Sequence, residues 1–218
     1  MRVAVLSASL GGLDEIRPWT PQSLPGHDLV IHRWDDTTFP PRRCMSPRLQ
    51  ARIPKMFGWQ MAPGAHVYAW VDACYTLTHE RTVAWLLDEL GESDFACYTH
   101  PARYSIAEEN AFIKTRIETG DEYLRRRYEG ELGDEELEEI ASTGYVDDRL
   151  YASGILVYRN NGRIQETLRD WWYHTSRYHV VDQLGLPFVL HQHDVEVSVL
   201  PGDYYNPTPY FRRWRHAS

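Results

Sequence analysis

Apolar runs of strand length alternate with longer stretches of helical period through the first half of this chain. Arg2 to Ala8 (RVAVLSA) reads as a buried strand and His27 to Trp34 (HDLVIHRW) as a second, joined by a connection that carries Pro and Gly. After the irregular TTFPPRRCMSP, the pattern predicts a helix starting near Ser46 with Pro47 at its first position and Leu49, Ile53, Met56 and Phe57 on one face. Pro54 inside it predicts a kink or a shorter helix. AHVYAWVD is a third strand. THERTVAWLLDELG reads as a helix with Thr78 as cap and Gly91 as stop, and DFACYTH (Asp94 to His100) as a fourth strand. Residues 105 to 142 read as polar and helical. Beyond them come a strand at YASGILVYRN, a helix at RIQETLRDWWYHTSRY, an apolar helix opened by Asp182 and Gln183, and a last alternating strand at DVEVSVLP.

This order predicts an α/β fold with a mixed, mostly parallel central sheet flanked by helices. Ligands of such sheets bind at the carboxyl ends of strands. Three polar signals fall there: Ser9 with Gly11 and Gly12, then Asp72, then His100 with Arg103. With no repeat and no low-complexity linker, one domain over residues 1–218 is expected, comprising a first half to about 104, a helical insert from about 105 to 145, and a second half from about 146.

Composition narrows the function. A chain of 218 residues with 43% hydrophobic and 25% charged residues has the balance of a soluble globular protein. No run of about 18 apolar residues suggests a membrane span, and the N-terminal apolar run is too short for a leader. Cys44, Cys74 and Cys97 are odd in number and widely spaced, which points to free thiols and a cytoplasmic address. The net charge of −8 disfavours a protein that coats nucleic acid. Basic residues nevertheless gather at Arg42, Arg43, Arg48, Arg52 and Lys55, at Arg125 to Arg127, and at Arg212, Arg213 and Arg215, a distribution that suits a phosphorylated small molecule. The acidic EGELGDEELEEI reads as a solvated face.

Asp72 closes an apolar strand, and two readings of it stand level: a turn-capping carboxylate, or a ligand for a divalent cation that carries a diphosphate. Arg52 and Lys55 lie one turn apart and share a helix face, as surface charge or as phosphate contacts. HQHD (His191, Gln192, His193, Asp194) resembles a metal motif only weakly; a zinc hydrolase built on His191, His193 and Asp194 ranks low. No nucleophile elbow surrounds Ser153, and neither a P-loop nor a dinucleotide fingerprint is present.

Taken in chain order, GGLDE after the first strand, RIPK on the helix, VYAWVDA, THPAR with AEEN, LYASGILVYRN, WWYHTSRYHVVDQLGLPFVL and VLPGDYYN resemble glycosyltransferases of the GT-A fold. More narrowly, they resemble the glycosyltransferase-like domain family of plant mucilage and turgor-regulation proteins and bacterial relatives. The resemblance spans nearly the whole chain. It implies a nucleotide-sugar donor, with a UDP-sugar favoured, and Mn²⁺ or Mg²⁺ held by an Asp-x-Asp pair and a late histidine. Asp72 matches the first position, Cys74 replaces the second carboxylate and His216 is the late histidine. Cysteine prefers softer metals, so the match implies a weakened hard-ion site, a cation held mainly by Asp72, His216 and the donor phosphates, or a metal-independent enzyme that uses Arg and Lys. The same resemblance places Ser9, Gly11 and Gly12 at the nucleotide, and Arg52 and Lys55 at the donor phosphates or sugar. It sets Ser153 and Gly154 beside the sugar, and Asp182 and Gln183 at the sugar and acceptor. Asp182 would be the base of an inverting reaction or a positioning group in a retaining one, with retention slightly favoured. A non-catalytic sugar- or nucleotide-binding module is the competing expectation. The acceptor is open: a glycan, a small molecule or, through the basic aromatic tail YYNPTPYFRRWRH, a modified DNA base.

Overall fold

The computed structural model describes residues 1–205 and 209–214. Strands β1 (Arg2–Ala8) and β2 (Asp28–Trp34) pair in parallel. Helix α1 (Pro47–Met56) begins where the sequence predicts, with the Ser46 hydroxyl accepting the Leu49 N–H and Pro47 in the first turn, where a missing N–H costs nothing. Pro54 is tolerated near the end of α1. A four-residue helix, α2 (Gly58–Met61), follows before β3 (Val67–Val71) and the short β4 (Tyr75–Leu77).

The predicted helix at Thr78 is corrected by β4. The Thr78 N–H bonds to the Tyr210 carbonyl and its hydroxyl to that of Pro209, so Thr78 anchors the C-terminal segment and does not cap a helix. Helix α3 begins four residues later (Thr82–Leu90) and stops at Gly91, whose φ is 51°. Then come β5 (Phe95–Thr99), α4 (Ile106–Glu118), α5 (Glu122–Tyr128), α6 (Gly133–Ser142), β6 (Tyr151–Arg159), α7 (Gly162–Arg177), α8 (Leu186–Gln192), β7 (Val197–Val199) and β8 (Phe211–Arg213). Asp182 and Gln183 thus lie in the turn before α8, not in its first turn.

The central sheet has the order β2-β1-β3-β6-β5-β7, with every strand parallel to β1 except β6. Because β6 is antiparallel, its start meets the carboxyl ends of β1, β3 and β5 at one edge. Alternation divides the strands between two cores. Ala4, Leu6, Tyr68 and Trp70 face α1, α7 and α8, whereas Val3, Val5, Val67 and Ala69 face α3 and the small β4-β8 sheet. No described helix is long and apolar enough to cross a membrane.

Gly58 lets α2 approach the sheet: a Cβ there would lie 2.1 Å from Leu6 Cδ1 and 3.1 Å from the Tyr158 hydroxyl. Gly58→Ala is therefore expected to destabilise the fold by roughly 1–3 kcal/mol in urea unfolding, through displaced core side chains.

Candidate active site

Six of the residues singled out in the sequence converge at the edge where β1, β3 and β6 meet. Arg52 and Lys55 project from α1, Asp72 follows β3, Ser153 and Gly154 lie near the start of β6, and Asp182 comes from the turn before α8. The ladder between β5 and β6 shifts register at Cys97 and Tyr98, which pair with Leu156 and Ala152. The extra residues Ser153 to Ile155 bulge out of that pairing and re-aim Ser153 toward the cluster.

Asp182 is the hub. One carboxylate oxygen lies 2.5 Å from Lys55 Nζ and 3.1 Å from Arg52 Nε, and the other accepts the Ser153 hydroxyl at 2.7 Å. Its backbone carbonyl accepts the Trp171 indole N–H at 2.5 Å. Lys55 is wholly buried and Asp182 only 4% exposed, so each charge requires the other. Burial opposes ionisation of Asp182, but the adjacent Arg52 and Lys55 outweigh it and hold the carboxyl below its ordinary range. Burial likewise lowers Lys55. Asp72 completes the balance of two cations and two anions: its Oδ1 accepts the Trp70 indole N–H at 2.6 Å and lies 3.9 Å from both Arg52 and Lys55. A Cβ on Gly154 would fall 2.3 Å from the Tyr204 hydroxyl and 3.0 Å from Asp72 Oδ2, so that glycine makes room for a tyrosine the sequence pattern did not reveal.

Gln183, His100 and Arg103 form an adjoining chain rather than part of this cluster. Glu109 accepts from both the Gln183 amide and the Arg103 guanidinium. His100 Nδ1 accepts the N–H groups of Ala102 and Arg103, and burial followed by the Arg103 charge lowers its pKa to about 4. His100 is a neutral, buried support for the loop after β5.

Ser9, Gly11 and Gly12 form the opposite wall. The Ser9 hydroxyl donates to the Asp14 carbonyl, and the Gly11 N–H to the Asp36 carboxylate. Gly11 has φ 68° and Gly12 φ 64°, and a Cβ on Gly11 would strike Pro47 at 2.6 Å. The loop is thereby pressed onto the start of α1. A cavity of about 60 Å³ lies between Ser9, Arg52, Trp70 and Asp72, and a cleft of about 870 Å³ opens beside Gly11 and Gly12; Leu13, Arg48 and Arg127 line both.

Of the three expected cation ligands, Cys74 does not fit the role. Cys74 is 2% exposed and packs in the core with Tyr75, and burial, reinforced by the Asp72 charge, pushes its thiol above the ordinary range. A buried protonated thiol is no ligand for Mn²⁺ or Mg²⁺, which take oxygen donors. His216 lies outside the described residues. Among those residues no group of three or more His, Cys, Asp and Glu side chains could hold a metal ion. His193 pairs with Asp170 at 2.7 Å, a bond across α7 and the end of α8.

No protein-family model matches this chain, and no curated protein matches it. Three of its structural neighbours are glycosyltransferases. The bifunctional glycosyltransferase WbbM shares 13% identity at a TM-score of 0.48, over 91% of this chain and 38% of its own length. A glycosyltransferase involved in glycosylating the major capsid of PBCV-1 shares 8% at 0.46, over 93% and 82%. Mouse xyloside xylosyltransferase 1 shares 12% at 0.44, over 92% and 85%. At these values the likeness assigns neither a family nor a reaction.

Two measurements check the site. Lys55→Met should cost about 3 kcal/mol of stability by leaving the cluster one positive charge short, and adding Asp182→Asn should recover part of that loss in a double-mutant cycle. Because His100 binds its proton less readily folded than unfolded, stability should fall as pH drops from about 6.5 to 4, and His100→Gln should flatten that slope in melts across the range.

Proposed function

We propose that the chain is a glycosyltransferase using a nucleotide-sugar donor, with UDP-sugars the favoured class. The observation that carries this reading is the buried Asp182, held anionic by Lys55, Arg52 and Ser153 beside Asp72 at the carboxyl ends of the parallel strands. Such an edge is where an α/β sheet takes a nucleotide. The ordered sequence resemblance to GT-A enzymes supports it, although the narrower plant-type family finds no matching family model.

The state of Asp182 favours retention. An inverting transferase needs a base for the acceptor hydroxyl, and a carboxylate with lowered pKa and two cations on it is a poor one. In the proposed reaction the bond from the anomeric carbon to the diphosphate breaks with its electron pair going to the diphosphate oxygen. The acceptor oxygen bonds to that carbon, and its proton passes to the departing diphosphate. Asp182 positions the sugar and stabilises the positive charge that develops on it, and Gln183, tethered by Glu109, borders the same side. The acceptor class stays open among glycan, small molecule and modified DNA base.

A panel of UDP- and GDP-sugars tests the reading. At least one donor should raise the melting temperature and be slowly hydrolysed, and Asp182→Asn should lower that hydrolysis at least about a hundredfold. Binding without turnover would favour the non-catalytic module, and no binding across the panel would refute the donor reading.

A further inference from the structure

Arg52 and Lys55, the two cations the sequence resemblance assigns to donor phosphates or sugar, already have their charges matched by Asp182 and Asp72. The phosphates of a donor therefore need other partners. Two guanidiniums offer themselves at the passage between the small cavity and the large cleft. Arg48 stands one turn before Arg52 on α1, and Arg127 reaches across from α5. The Nε of each is buried and has no hydrogen-bond partner; that of Arg52 also lacks a hydrogen bond but lies 3.1 Å from the Asp182 carboxylate. Such orphaned charged donors cost free energy until an acceptor reaches them.

The lining of the cleft is mixed: Glu122, Glu129 and Glu131 stand beside Arg48, Arg126 and Arg127, and Glu122 and Glu129 are paired with Arg125. Arg127 is held with its guanidinium carbon 4.6 Å over the Tyr123 ring and 5.8 Å over that of Tyr128. Its charge acts on Arg48 closely enough to add to the lowering of Arg48 by burial. Two like charges held together are relieved by an oxyanion between them. The first turn of α1 carries no acidic residue, and its start faces the same cleft through Ser46, Pro47 and Arg48. Asp14 and Glu131 also act on Arg48, and Glu131 accepts the Val180 N–H, which draws part of its charge away from the cleft.

We propose that Arg48 and Arg127 are the diphosphate receptor of this chain, binding the phosphate oxygens of a nucleoside diphosphate directly, without a bridging cation. The identity of the anion rests on the glycosyltransferase reading; the receptor itself rests on two guanidiniums with unpartnered Nε groups and the cleft they line. On leaving, the diphosphate would find its developing charge met by two fixed cations, the contribution a metal ion makes elsewhere.

Calorimetry with inorganic pyrophosphate and with UDP, in EDTA, tests the proposal. Both probes should bind, with affinity falling as salt rises. Arg48→Gln and Arg127→Gln should each weaken binding at least about tenfold while the melting temperature of the free protein holds. Arg126→Gln, on the exposed rim of the same cleft, should change it less than about twofold. Binding that appears only when Mn²⁺ is added, or that is unchanged in both variants, would overturn the proposal. If nucleotide-sugars are hydrolysed but both variants bind as the parent does, the transferase reading stands and the receptor falls. If pyrophosphate binds through both arginines while no nucleotide-sugar does, the receptor stands and the donor reading falls.

Discussion

A lysine ammonium with no exposure to solvent can persist in a fold only against an anion, and Lys55 meets Asp182 across 127 residues of sequence. That contact joins α1 in the first half of the chain to the turn between α7 and α8 in the second. The neighbouring groups take their positions from it. Ser153 donates to the same carboxylate, Trp171 closes on its backbone, and Arg52 and Asp72 bring the buried charges into balance. An unmatched charge at this depth costs several kcal/mol, so the cluster constrains how the two halves of the sheet can be closed by helices.

The same balance sets what the cluster can do. A carboxylate already satisfied by two cations and a hydroxyl is a weak base, poorly suited to proton abstraction. Cations already neutralised are poor phosphate receptors, which is why the proposed receptor is Arg48 with Arg127 at the cleft. The antiparallel β6 makes the arrangement possible, because reversing that one strand brings its bulged start, with Ser153 and Gly154, to the edge where the parallel strands end.

The strands were legible because apolar runs bounded by turn residues report burial locally. β1 has the boundaries that RVAVLSA implies, and the Ser46-Pro47 start of α1 follows from capping chemistry. Legibility failed where long-range pairing overrode local propensity. Tyr75 to Leu77 form a strand only because β8 arrives from the C-terminal region to pair with them, so a helix read from Thr78 began too early. Lys55 was read as surface charge or as a contact for donor phosphates or sugar, and its depth beneath Trp70 and Trp171 was not legible because it depends on how α1 packs against α7. Cys74 drew attention as a replaced metal ligand, and burial under the C-terminal strand removes it from that role.

By itself the sequence determined the alternation of strands and helices, the polar groups at strand ends and the residue types available to a phosphate-bearing ligand, because hydrophobic period, caps and turns act over a few residues. Only the tertiary structure decided which charges neutralise one another and which are left with unsatisfied donors. That choice depends on contacts between residues distant in sequence and on burial, which sets how strongly each charge is felt. In a one-dimensional reading Asp182 and Lys55 are candidate ligand contacts and Arg48 and Arg127 members of scattered basic groups; the fold makes the first two a buried ion pair and sets the other two at a cleft.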